Sequence, residues 1–320
     1  MGSIVAGMAT SHAFALIDPE QWEEFRAQNC ASYRRRTGKD PLPDPRIEYE
    51  SLADNQKRYA RVRTAHSELR RQIAEDKPDA IVLIGDDQNE NFVSVIPQLA
   101  IFTGQSLRLG GRFAQSPRRY PVHHELARAI YQRSIREGFD VTAITAFDDD
   151  EMKSHAHVQV LETLSQGNDV PVVPVFINAI HHPAIEPQRC HAFGQLIARA
   201  VADRPGIERV AICASGGLSH FTAGYPWKDY TGPFGYGSIS EEFDRRAIAL
   251  IGEGKGETLA SLTGADLLHH GDIEMRSWIA LLGALGAIRP NLLVYEAFYR
   301  GITGMAVASW RASGPERSGA

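Results

Sequence analysis

The sequence predicts an α/β chain folded as a three-layer sandwich, with a central, largely parallel or mixed sheet flanked by helices. Three observations predict it. Short β-branched apolar runs alternate with longer helical patterns along the whole chain, which argues for a buried sheet with helical crossovers. Hydrophobic residues make up 43% and charged residues 23% of the 320 positions, ordinary usage for a packed globular chain. No internal repeat, low-complexity tract or composition break marks a domain boundary.

The elements follow in order. Ile4-Val5-Ala6 opens the chain as a strand. Glu20 to Arg36 and Leu52 to Glu75 read as polar amphipathic helices. Ala80 to Ile84 is an unbroken apolar strand, bounded by Pro78 before it and Gly85 after it. His124 to Glu137 is helical, Val141 to Ile144 a strand, and Val158 to Leu164 the core of a helix. Val172 to Ile177 is a strand, Cys190 to Ala202 a helix, and Val210 to Cys213 a strand. Ser240 to Gly252, Thr258 to Leu262 and Ile273 to Leu285 are helical. Leu292 to Phe298 and Met305 to Trp310 are late strands. The expected organisation is one catalytic domain over residues 1–312, with a helical elaboration at about 19–77 and a Ser/Gly/Pro-rich flexible tail at 313–320.

Charge and cysteine content narrow the class. A net charge of -5 is a poor match to nucleic-acid binders, which carry a basic face. Three cysteines, Cys30, Cys190 and Cys213, are too few for a disulfide framework and lack zinc-ribbon spacing. The opening residues carry no basic segment before an apolar one, so no signal peptide is expected. No apolar run approaches the ~20 residues of a membrane span. A cytoplasmic protein with no membrane or nucleic-acid partner is the expectation.

Ionisable residues collect just after strands, where α/β sheets bind ligands. The first strand runs into Thr10-Ser11-His12. The Ile81–Ile84 strand runs into Gly85-Asp86-Asp87-Gln88-Asn89-Glu90-Asn91-Phe92. The Val210–Cys213 strand runs into Ser215-Gly216-Gly217-Leu218-Ser219-His220. Glu241-Glu242-Phe243-Asp244 follows a loop rich in Gly and Tyr. If the strands are neighbours, His12, the Asp86/Asp87 pair, His220 and one Glu converge. Imidazole and carboxylate donors with open positions suit non-haem Fe(II) or a related divalent metal. Each group also has an ordinary structural reading. His12 reads as a strand-end histidine, Asp86-Asp87 as turn residues, and Glu241 and Glu242 as first-turn acids complementing a helix dipole.

These segments, in this order, resemble the class III extradiol ring-cleaving dioxygenases, the family of the catalytic β subunit of protocatechuate 4,5-dioxygenase. Gly7 to His12 is similar to the family's opening strand and first iron-ligating histidine, His12. Ser215 to His220 is similar to the segment carrying its catalytic histidine, His220. Ser240 to Asp244 resembles the segment supplying the carboxylate ligand, which places that role on Glu242. Ser154-His155-Ala156-His157 resembles a second active-site histidine segment, matched at His155. Gly271 to Trp278 resembles a late helix of the family. The likeness runs from about Ile4 to about Trp310.

One departure stands out. The family places a second iron-ligating histidine just after the second strand, and this chain has none there. A gapless match puts Asp87 at that position, a one-residue shift puts Gln88 there, and Glu90 is a third candidate. The resemblance implies Fe(II), with Mn(II) as the alternative, held by His12, Asp87 and Glu242. It implies a small catecholic or related hydroxylated aromatic substrate cleaved with O2, and a homo-oligomeric assembly. His220 is the expected base and acid, because an imidazole near neutrality moves protons both ways. His155 is the expected second relay or substrate anchor. Two other readings compete: a metal-dependent hydrolase or lyase on the same scaffold, and a binding protein that has lost the metal. Arg112, Arg118 and Arg119 are candidates for a substrate carboxylate.

Overall fold

The computed structural model describes residues 1–42, 44–165, 169–205 and 208–311. The expected tail at 313–320 lies outside the described residues.

Among the described residues, ten strands and eight α-helices form in chain order. The strands are β1 (Ser3–Thr10), β2 (Ala80–Gly85), β3 (Leu99–Phe102), β4 (Leu107–Leu109) and β5 (Arg118–Tyr120), then β6 (Thr142–Ile144), β7 (Val172–Ile177), β8 (Arg209–Ser215), β9 (Leu292–Phe298) and β10 (Thr303–Arg311). The helices are α1 (Trp22–Thr37), α2 (Leu52–Asp76), α3 (His124–Arg136) and α4 (His155–Ser165), then α5 (Pro187–Ala202), α6 (Glu241–Gly252), α7 (Gly264–His270) and α8 (Met275–Leu285).

Eight strands make one mixed sheet in the order β6-β3-β7-β2-β8-β1-β10-β9. Its centre, β7-β2-β8-β1, is parallel. β10 and β9 add antiparallel to β1, and β3 is antiparallel to β7. Alternate strand residues face opposite layers, as a pleated strand requires. In β2, Ala80, Val82 and Ile84 pack with α3, α5 and α8 through Ile130, Phe193 and Trp278. Ile81 and Leu83 face the other way, towards Val62 and Leu69 of α2 and Leu161 of α4. Both faces are covered, which is why β2 reads as a continuous apolar run. The expected sandwich is the observed architecture.

Several elements differ from the sequence reading. β3 is only four residues, Leu-Ala-Ile-Phe, too short for periodicity to mark. β4 and β5 form a separate hairpin whose second strand carries two arginines. Arg118 sits there because its guanidinium pairs with Asp169 and lies over the Tyr120 ring. The stretch expected as a helix at Thr258–Leu262 is a 3-10 segment, Gly256–Ser261. α7 follows it, started by a capping box in which Thr263 and Asp266 bond each other's backbone N–H groups.

Candidate metal centre and active site

Strands β2, β8 and β1 are neighbours in the parallel centre of the sheet. Their carboxyl ends therefore deliver three loops to one place, where α/β sheets bind ligands. His12 lies two residues beyond β1 and is buried. Its Nδ1 is 3.1 Å from Ser215 Oγ at the end of β8. Ser215 donates its one hydroxyl proton to the Ala156 carbonyl at 2.5 Å. It can therefore only accept from His12, so Nδ1 carries the imidazole proton. Nε2 is left as a bare lone pair. Burial drives the His12 pKa down to about 3, so the ring is neutral.

That lone pair faces a carboxylate. Glu274 Oε2 is 3.7 Å from His12 Nε2. Glu274 immediately precedes α8 and is 1% exposed. Gly217 N–H donates to its Oε2 at 2.8 Å. Close approach of the β8 loop requires the two glycines there. A Cβ on Gly216, at φ 143°, would stand 2.8 Å from the Glu274 Cβ. Burial works against the Glu274 charge, but the His220 imidazolium and the Gly217 N–H hold it well below the usual carboxylate range.

Asp86 follows β2 and is fully buried, with both carboxylate oxygens unpartnered. Burial, reinforced by the charges of Glu274, Asp87 and Glu90, pushes its pKa well above the usual range. His12, Asp86 and Glu274 each offer a donor atom, all within 4.8 Å of one another. An unpaired buried carboxyl beside an imidazole lone pair and a second carboxylate is the donor arrangement of a divalent cation. The residues therefore fit a metal of the Fe(II) or Mn(II) type.

Asp87 does other work. Its carboxylate accepts N–H bonds from Glu90, Asn91 and Phe92 at 3.0–3.1 Å. Its hydrogen bonds all turn into its own loop, and Asp86 rather than the expected ligand Asp87 stands with His12 and Glu274. Gln88, one residue on, points into the site, and its Nε2 donates to Glu274 Oε1 at 2.6 Å.

Two further imidazoles complete the wall. His220 Nδ1–H donates to the Leu218 carbonyl at 2.7 Å, and Nε2 faces Glu274 Oε1 at 3.3 Å. Burial opposes its charge, but Glu274 outweighs it and lifts the pKa to about 9. His155 begins α4, its ring edge-on to His12 with centroids 4.7 Å apart. Its Nδ1 and backbone N each bond Glu90 at 2.8 Å. Burial disfavours the imidazolium, and Glu90 overcomes that and raises the pKa.

His12, Gln88, Glu90, His155, His220 and Glu274 line the floor of a cavity of about 590 Å³. Its apolar walls include Phe14, Phe25 and Phe113. Its mouth is basic, with Arg35 and Arg36 from α1 and Arg112 from the loop after β4. α1 is tied to the loop beyond His220, where Asn29 Oδ1 accepts from Ala223 N–H and Arg36 donates to the Ala223 carbonyl.

Of the residues singled out from sequence, His12, His155 and His220 meet in this cavity, and Arg112 joins them. Glu242 does not. It is exposed in the first turn of α6, where helical phase turns Phe243 and Asp244 inward instead. The carboxylate facing His12 is Glu274, where the sequence reading expected Glu242. Arg118 is engaged with Asp169, and Arg119 is exposed. Gln88 and Glu90, the sequence alternatives to Asp87, also line the cavity. Asp86 belongs to the acidic pair expected to converge there, and the residue that sequence reasoning missed is Glu274. The Gly271–Trp278 segment was visible as a family-like helix, but a lone Glu before a helix also reads as a dipole acid.

Comparison with known proteins bears on the fold and the family. A solved structure of an uncharacterized protein from Escherichia coli K12 shares the fold, with a TM-score of 0.51 at 13% identity, covering 95% of this chain and 99% of that one. A 2,3-dihydroxyphenylpropionate/2,3-dihydroxicinnamic acid 1,2-dioxygenase of Klebsiella pneumoniae is 35% identical over 156 residues, 48% of this chain. That match spans about half the length of the relative, 47%. Enzymes of the same name from Rhodococcus sp and Paraburkholderia xenovorans are 26% and 28% identical, over 75% and 76% of this chain and 86% of each relative. The family model of the catalytic LigB subunit of aromatic ring-opening dioxygenase matches residues 45–308, and the chain belongs to that family.

Proposed function

We propose that the protein is a metal-dependent extradiol-type dioxygenase that opens a catecholic or related hydroxylated aromatic ring with O2. The observation that carries this is the donor set itself. Donor atoms of His12, Asp86 and Glu274 lie within 4.8 Å of one another, and His12 and Glu274 line a large cavity together with His155 and His220. A metal held by His12, Asp86 and Glu274 would supply Lewis acidity towards adjacent ring hydroxyls and redox capacity for the reaction with O2.

The chain's own groups do the rest. His220 Nε2, protonated near neutrality through its pairing with Glu274, gives a proton to the substrate and later takes one back, with Nδ1 held on the Leu218 carbonyl. His155, fixed by Glu90, presents Nε2 as a second proton donor or as an anchor for a ring hydroxyl. The phenylalanines of the wall exclude water from the ring. Arg112 and the α1 arginines favour a ring bearing an acidic side chain, and the relatives named above are dioxygenases of such acids. We propose too that residues 1–312 act as one catalytic domain, because the site draws on segments from His12 to Glu274.

The test is anaerobic loading with Fe(II), followed by oxygen uptake and yellow product formation across catechols, dihydroxyphenyl acids and gallates. Uptake with one or more diols is expected. A protein that holds metal and consumes no O2 with any diol would overturn the reading in favour of a hydrolase or lyase on this scaffold.

A further inference from the structure

We infer that the metal centre has one imidazole and is rich in oxygen donors, with Gln88 occupying the place of a second histidine, so that it discriminates only weakly between Fe(II) and Mn(II). The inference rests on the metal-dependent reading above and concerns which ion the site prefers.

The geometry supports one imidazole. The donors that close within 4.8 Å of one another are His12, Asp86 and Glu274, and neither His155 nor His220 joins that set among the described residues. His155 is turned onto Glu90 at 2.8 Å, and His220 Nε2 approaches the far oxygen of Glu274, Oε1. The group that reaches Glu274 Oε1 from the β2 loop is the Gln88 amide, at 2.6 Å. Asp87 pins that loop through three N–H bonds, so Gln88 is delivered to the site by a fixed backbone. Its head carries both a donor and an acceptor, and a half-turn about the last bond exchanges them in place. As placed, Nε2 holds Glu274. Turned, Oε1 faces the same space as an uncharged oxygen ligand.

Charge and hardness then set the preference. A neutral His12 with Asp86 and Glu274 cancels the charge of a divalent ion. Two imidazoles with one carboxylate would leave one positive charge. Imidazole suits iron, whereas carboxylate and carbonyl oxygens suit Mn(II) and Mg(II). Replacing a nitrogen donor by oxygen donors narrows the margin by which Fe(II) outcompetes Mn(II).

The experiment measures Fe(II) and Mn(II) dissociation constants on the full chain, anaerobically, by competition with a chromogenic chelator, with electron paramagnetic resonance of bound Mn(II) as a second readout. The two constants are expected to lie within about tenfold in the native protein. Gln88→His should widen the ratio by a further factor of about ten in favour of Fe(II) and alter the Mn(II) spectrum. Gln88→Glu, which keeps the length and the oxygen, serves where the histidine variant does not fold, and should leave the ratio unchanged or lower it. A native preference for Fe(II) well beyond about a hundredfold overturns the inference. So does an unchanged ratio and spectrum in Gln88→His, or a Gln88→Glu ratio that rises. Failure to bind either ion sinks the metal-dependent reading itself, so the two failures are distinguishable.

Discussion

His12 Nε2 faces Glu274 Oε2 across 3.7 Å with no proton to join them. Ser215 fixes the imidazole proton on the far nitrogen, and Glu274 is held ionised. Two lone pairs pointed at one another in a buried site repel unless a cation lies between them. Asp86 adds a third unpaired donor to the same space.

The first prediction separates the carboxylate facing His12 from the one suggested by sequence. Glu274→Gln should weaken divalent-metal affinity by at least about tenfold, as loss of a charged donor implies. Glu242→Gln should leave it unchanged, because Glu242 is exposed on α6. Metal titration of the two variants side by side decides the matter. The opposite ranking would restore Glu242 as the ligand.

Ser215 supports the second. Without its oxygen, the His12 Nδ1–H loses its acceptor, and the proton can move to Nε2, where it blocks coordination. Ser215→Ala should lower metal affinity by about 10–100-fold, in line with other hydrogen-bond partners of ligating histidines. Full metal retention at submicromolar free ion would show that the ring needs no such support.

Much of this was legible in the sequence, and the gaps have physical causes. Strand ends that run into His12, Asp86 and His220 announce a site because the sheet order β2-β8-β1 brings consecutive loops together. The histidines stand out because an imidazole at a strand end has few structural uses. The carboxylates do not, since acids at helix starts and turns are common. Glu242 and Glu274 both sit at helix starts, and only the burial of one and the exposure of the other tell them apart. Asp86 and Asp87 are adjacent and chemically identical, yet backbone direction sends one into the site and the other into its own loop. Neither difference is written in residue type or spacing.

The third prediction concerns the basic mouth. Arg112 lies over the Phe113 ring, 4.3 Å from its centroid, and Phe113 in turn packs beside His155. An acidic side chain on a ring bound at the floor would meet this guanidinium. Arg112→Ala should raise KM for dihydroxyphenyl acids by about 10–100-fold, the worth of a charge-assisted hydrogen bond. KM for an uncharged catechol should stay within about twofold. Equal losses on both substrates would assign Arg112 to packing instead.

The last prediction is a pH dependence of stability carried by His66, outside the donor set. His66, on α2, is buried, and its Nε2 lies 2.9 Å from Thr10 Oγ1. Thr10 donates its own hydroxyl to the Ser11 carbonyl, so it accepts from His66, which must keep that one N–H. Burial, aided by the Arg70 charge, lowers the His66 pKa from 6.5 to about 4. The sign follows from linkage. Between pH 6.5 and about 4 the unfolded chain takes up a proton that the folded chain refuses, so unfolding is favoured as pH falls. The contribution is whole above pH 6.5 and is lost by about pH 4, amounting to about 3 kcal/mol at most. His157, lowered to about 4 mainly by burial, acts in the same window and the same direction. Urea midpoints of the native protein should therefore fall through this range. His66→Gln keeps a donor for Thr10 and removes the titration, so its curve should fall less steeply, by up to one proton's worth of slope. Parallel curves for the two proteins would mean that His66 titrates alike in the folded and unfolded chains.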